Sequence, residues 1–136
     1  MAGGVPGCGR ITLGADKAQA IIINWRPVGI TFGQTARFTF ANIGEIRGIV
    51  INWRFIDADG EIVATSERPL TIPFGKMVSV DLDRNTLPRP EARVQIRAEV
   101  EVLTHGNSRN DLSTSLEVFD NDTGKTTVFF WPTETI

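Results

Sequence analysis

The chain has one cysteine, Cys8, and one histidine, His105, in 136 residues. A lone cysteine excludes a disulfide within the chain and a cysteine-based zinc site built by one copy. A lone histidine in the polar, loop-like stretch Thr104–Asp111 supports no Ser-His-Asp or Cys-His arrangement. No apolar run approaches the ~20 residues of a membrane span. A net charge of −2 gives no general attraction to nucleic acid or anionic lipid. No glycine-rich loop follows a strand and opens a helix, so nucleotide binding has no support. No cofactor and no catalytic signature are expected.

What is present is β-forming. Val, Ile, Thr, Phe and Trp are frequent, with Gly and Pro between the runs. The central stretch Ile49–Thr65, IVINWRFIDADGEIVAT, predicts a hairpin. Ile49, Ile51, Trp53 and Phe55 share one face of a strand. Asp57–Gly60 forms the turn, where Gly60 can take a positive φ. Trp53 is expected to be a core anchor. Upstream, Ala20–Arg26 predicts a strand with Ile21, Ile23 and Trp25 on one face, broken by Pro27 and Gly29. Gln34–Ala41 alternates Ala36, Phe38 and Phe40 with polar residues. Downstream, Pro69–Gly75 reads as a strand edge and turn. Lys76–Asp83 places Val78, Val80 and Leu82 on one face. Asn85–Pro90 is a proline-rich connection.

The cleanest alternation is Ala92–Leu103. Val94, Ile96, Ala98, Val100 and Val102 face one way and Arg93, Gln95, Arg97, Glu99 and Glu101 the other, which predicts one core face and one wet face. Ser115–Phe119 and Thr126–Trp131 predict a last hairpin. The Trp-containing stretches IIINWR and IVINWR echo each other without matching flanks. The bland reading is two strands in similar core surroundings; the sharper one is equivalent strands at two sheet edges. The size fits one domain. Residues 1–18 form a glycine-rich extension, and residues 19–136 a single all-β, antiparallel, immunoglobulin-like sandwich of about 7–9 strands.

Candidate sites are few. The Asp57 and Asp120 turns resemble cation loops, but the twelfth position of each is Arg68 or Trp131, not the glutamate an EF-hand needs. Asp120 and Asp122 are the better metal candidates. Asn121-Asp122-Thr123 matches the glycosylation sequon. Of the three tryptophans, Trp131, beside Phe129 and Phe130, has most reason to be exposed, as a contact surface or a sugar-stacking platform; the bland reading packs it in a last strand at the sheet edge. In the extension, Ile11 and Leu13 are the apolar anchors of a short Ile11-Thr12-Leu13 patch.

Two segments, GQTARFTFAN at 33–42 and SLEVFDNDTGKTT at 115–127, resemble an early strand and the closing hairpin of uncharacterised bacterial immunoglobulin-like domains of envelope or secreted proteins. The resemblance spans roughly residues 30–130. It implies an extracellular or cell-envelope location and a non-enzymatic role. The start, MAGGVPGCGR, departs from that, having no apolar h-region; Val5-Pro6-Gly7-Cys8 loosely resembles the end of a lipoprotein signal. The expected function is a structural or interaction module of a surface assembly. Its expected partner is itself or another envelope protein, with the extension added as a strand to the next subunit. The alternative is a carbohydrate-binding module.

Overall fold

A computed structural model describes residues 21–44, 48–103 and 111–130. The chain runs through β1 (Ile21–Asn24), β2 (Val28–Ile30), β3 (Gln34–Asn42), β4 (Gly48–Asp57), β5 (Ile62–Thr65), β6 (Leu70–Pro73), β7 (Met77–Asp83), a 3-10 turn (Arg84–Thr86), β8 (Val94–Val102), β9 (Leu112–Asp120) and β10 (Thr126–Phe130). These form two antiparallel sheets. In the first, the order is β1-β8-β4-β5, with β2 also on β8 and β6 also on β4; in the second it is β10-β9-β3-β7. The protein is thus the antiparallel β-sandwich that the alternation predicts.

The strand count exceeds the expected 7–9 because two edges are broken. β1 and β2 pair with the two halves of β8. Pro27 has no N–H for the ladder, so the chain skips and resumes; the Trp25 N–H spans the gap to the Ala98 carbonyl at 2.9 Å. Gly29 does not end the strand, as the sequence suggests, but lies inside β2. A Cβ there would fall 2.8 Å from the Gln95 side chain. On the other edge, β5 pairs with Arg54–Ile56 and β6 with Gly48–Ile51, and residues 66–69 loop out between them.

The core lies between the sheets. Ala36, Phe38 and Phe40 from β3, Ile49, Ile51 and Phe55 from β4, and Val94 to Val102 in alternation from β8 are all buried. Phe38 meets Trp25 edge-on at 6.0 Å and Phe55 at 6.1 Å, joining the two sheets. On the wet face, Arg54 reaches Glu99 at 3.4 Å and Glu101 at 3.5 Å, so the two glutamates of β8 form cross-strand ion pairs, while Arg97 donates to the Asn24 side chain at 2.8 Å. The two Trp-containing echoes do not occupy two edges. β1 is an edge strand and β4 is interior, one on each side of β8. Ile23 and Trp53 both oppose Val100, so the echoes are out of register by two residues.

One end of the sandwich is cross-braced. Asp57 is buried, and its Oδ1 accepts the N–H groups of Asp59 and Glu61, both at 2.9 Å. Arg89 sits 2.8 Å from Oδ2. Ile56, which alternation places on the outer face opposite Arg97, is buried there, outside the core cluster; the β4–β5 ladder shifts register between Phe55 and Ile56. The Glu61 N–H bond, with help from Arg89 and the Asp59 N–H, holds the Asp57 carboxyl below its ordinary range against the upward push of burial. A carboxylate depressed in the folded state contributes stability above its unfolded pKa of about 3.9 and loses it as pH falls through the folded value. Thermal melts from pH 6 to pH 2.5 are therefore expected to show a smaller acid-side drop for Asp57→Asn than for the wild type. Equal drops would remove Asp57 from the acid response.

Candidate functional site

A sheet edge exposes a row of backbone donors and acceptors that another strand can pair with. Three of the four edges here are blunted. The β1–β2 edge is cut at Pro27, and the β5–β6 edge loops out through Pro69. The β10 edge shifts register between Thr126 and Val128. β7 differs: its seven residues, MVSVDLD, hold neither proline nor lysine, and pair with β3 from Met77 to Asp83 without a shift.

The register settles which β7 groups point outward. The Asn42 N–H bonds the Lys76 carbonyl at 3.0 Å, which makes 42 and 76 a hydrogen-bonded pair. Alternation along an antiparallel ladder then turns the backbone groups of Val78, Val80 and Leu82 toward β3. Those of Met77, Ser79 and Asp81 face away from β3. Among the described residues no strand lies on that side.

Beside this edge is a groove of about 510 Å³ between the sheets. Trp53, Leu70, Val78 and Val80 supply its apolar surface; Thr65, Ser66, Glu67, Arg68 and Thr71 supply the polar rim. Trp53 is where the sequence reading needs correction. It points inward, packing edge-on to Phe55 at 5.9 Å, yet it is only half-buried. The cause is the broken β5–β6 edge. The Ser66 N–H still bonds the Trp53 carbonyl at 3.0 Å, and the Trp53 N–H reaches the Ser66 hydroxyl at 3.2 Å. Residues 67–69 then leave the sheet, and the indole lines the open groove. Val78 and Val80 are likewise half-buried, while their partners Phe40 and Phe38 are fully buried.

The outer face of this edge is polar and paired. Arg37 grips Asp81 with two bonds of 2.8 and 2.9 Å, and the Asp81 hydrogen bond raises the Arg37 pKa further above its ordinary value. Ser79 and Thr39 share a hydroxyl hydrogen bond of 2.8 Å. At the Met77 end of the edge, three large apolar side chains are open: Ile43, Phe74 and Met77 are 66%, 58% and 70% exposed. They flank the bonds that join Asn42 to Gly75 and Lys76.

Of the site residues singled out from the sequence, Phe129, Asp120 and Asp122 are among those described, and none of them lines the groove. Phe129 is exposed on β10 opposite Glu117. Ile11, Leu13, Trp131, His105 and Cys8 fall outside the described residues. Asp120 closes a turn, accepting a 3.4 Å bond from the Thr123 hydroxyl, and Asp122 is exposed. Among the described residues no group of three or more His, Cys, Asp or Glu side chains is placed to hold a metal. Asn121 is committed to the fold: its amide donates to Asp83 at 3.2 Å and accepts from Thr35. No helix among the described residues is long and apolar enough to cross a membrane.

No family model matches the chain, and neither a curated protein nor a solved structure shows significant similarity to it. The edge and groove are the basis for a functional reading.

Proposed function

We propose that this protein is a non-catalytic, immunoglobulin-like interaction module of a bacterial surface or extracellular assembly. It binds an extended partner strand along β7. The observation that carries this reading is the unbroken β7 edge beside a groove where Trp53, Val78 and Val80 are only half-buried. An added strand would bond the outward backbone groups of Met77, Ser79 and Asp81 and place alternate side chains in the groove. Backbone bonds then give affinity, and the groove selects side chains.

Ser79→Pro tests it. Proline at an outward-facing edge position removes a donor that the β3 ladder does not use. Light scattering is expected to show concentration-dependent self-association of the wild-type chain and a 14.9 kDa monomer for Ser79→Pro. Ser79→Ala, which loses only the Thr39 hydroxyl contact, is expected to behave as wild type. A wild-type chain that stays monomeric at all concentrations would sink the reading. The half-exposed indole and the hydroxyls of Thr65, Ser66 and Thr71 support a second reading, carbohydrate binding. Soluble polysaccharides that shift tryptophan emission equally in wild type and Ser79→Pro would favour it.

A further inference from the structure

Resting on that reading, we infer that the strand received by β7 is residues 10–14 of a second copy, antiparallel, with Thr12 opposite Ser79.

The fixed points are on β7. Val78 and Val80 face the groove; Ser79 and Asp81 face the outer surface. An incoming strand must alternate apolar and polar in phase with this. Within residues 1–18 only Ile11-Thr12-Leu13 presents two large apolar residues two apart. Placing Thr12 across from Ser79 in antiparallel sense puts Leu13 opposite Val78 and Ile11 opposite Val80, both over the groove. The pairs on the outer face then also match. Thr12 extends a hydroxyl row that already runs Ser115, Thr39, Ser79 across the sheet. Arg10 falls opposite Asp81 and extends the row Glu117, Arg37, Asp81, so the charges alternate in sign across four strands. Gly14 falls opposite Met77, where the strand leaves the sheet. The parallel alternative with the same central pair sets Arg10 against Met77 and Gly14 against Asp81, which loses the charge match. A one-residue slip turns Ile11 and Leu13 to the outer face.

The donor is a second copy because the chain's own path is short. β1 begins on the edge of the first sheet remote from the groove, with β8 and β4 between. Residues 14–20 extend to about 25 Å at most. Three strand spacings of about 4.8 Å and a sheet separation of about 10 Å already take up about 24 Å of that, which leaves almost nothing for rounding the end of the sandwich from Ile21, paired with Val102. A neighbouring molecule has no such limit, and successive donation builds a linear assembly.

The test is disulfide trapping in full-length chains that also carry Cys8→Ser. Ile11→Cys chains are mixed with Val80→Cys chains, oxidised mildly and run on a non-reducing gel. A heterodimer band absent from either chain alone is the expected result. Thr12→Cys mixed with Val80→Cys, whose side chains would face opposite surfaces, is expected to give at least ten-fold less. Equal yields would overturn the register. A chain carrying both Ile11→Cys and Val80→Cys is expected to form a ladder; closure as a monomer would overturn the second-copy assignment. Ile11→Glu/Leu13→Glu in the full chain separates the two levels of argument. If Ser79→Pro disperses the assembly and this variant does not, the donor is wrong and the β7 reading stands. If neither disperses it, both fall.

Discussion

Arg84→Ala is expected to cost about 4 kcal/mol and to lower the melting temperature by roughly 15 °C. Arg84 is fully buried. Its Nε bonds the Ala92 carbonyl at 3.2 Å and its Nη1 the Leu87 carbonyl at 3.2 Å. Its Nη2 bonds the carbonyls of Arg89, at 3.1 Å, and Glu91. The Phe32 ring covers the guanidinium at 4.1 Å. The loop it serves holds Pro88 and Pro90 and pairs with no strand, so its carbonyls need a donor from elsewhere. A planar guanidinium with five N–H groups meets that need. Removing it strands several buried acceptors and frees the loop that carries Arg89 to Asp57. Arg84→Lys is expected to recover about half of the loss, since one ammonium cannot reach four diverging carbonyls. A melting shift below about 3 °C for Arg84→Ala would show that the loop holds itself.

Phe38→Ala is expected to cost about 3–5 kcal/mol, the usual range for removing a core aromatic. The ring has no exposed surface. It contacts Phe40 at 4.6 Å within its own strand and reaches Trp25 and Phe55 in the opposite sheet. Its loss opens a cavity at the one place where aromatic side chains from β3, β4 and the β1–β2 edge converge. Phe38→Leu is expected to cost only about 1–1.5 kcal/mol, because most of the volume is kept. Urea titration of both variants checks this, with an unchanged slope marking a pure stability effect. Equal costs for the two would mean that ring contacts, not volume, set the energy at this site.

Alternation was enough to read most of the strands. β3, β4, β7 and β8 carry apolar residues at every second position because each faces a core on one side and water on the other. Gly60 and Gly124, at φ of 85° and 75°, are legible as turns for a similarly local reason: both need a backbone that glycine adopts freely. Arg84 was not legible. An arginine after a strand reads as a solvated side chain, and only the path of residues 87–92 around it makes it structural. The one local hint was a proline-rich loop with many carbonyls and few donors.

The candidate site divides in the same way. The period-two patch Ile11-Thr12-Leu13 and the alternation of β7 are properties of the sequence alone. Whether an alternating strand lies inside a sheet or at its edge depends on strand order, which contacts distant in the chain decide: β7 is an edge because β9, about 35 residues later, takes the other side of β3. Trp53 shows the same limit. Its inward direction follows from its position between Ile51 and Phe55. Its half-exposure follows from a neighbouring strand that loops out at residues 66–69. The sequence by itself determined which way the side chains of the strands point, since that follows from the local backbone period. Only the tertiary structure decided which of those side chains are covered, since cover comes from other strands.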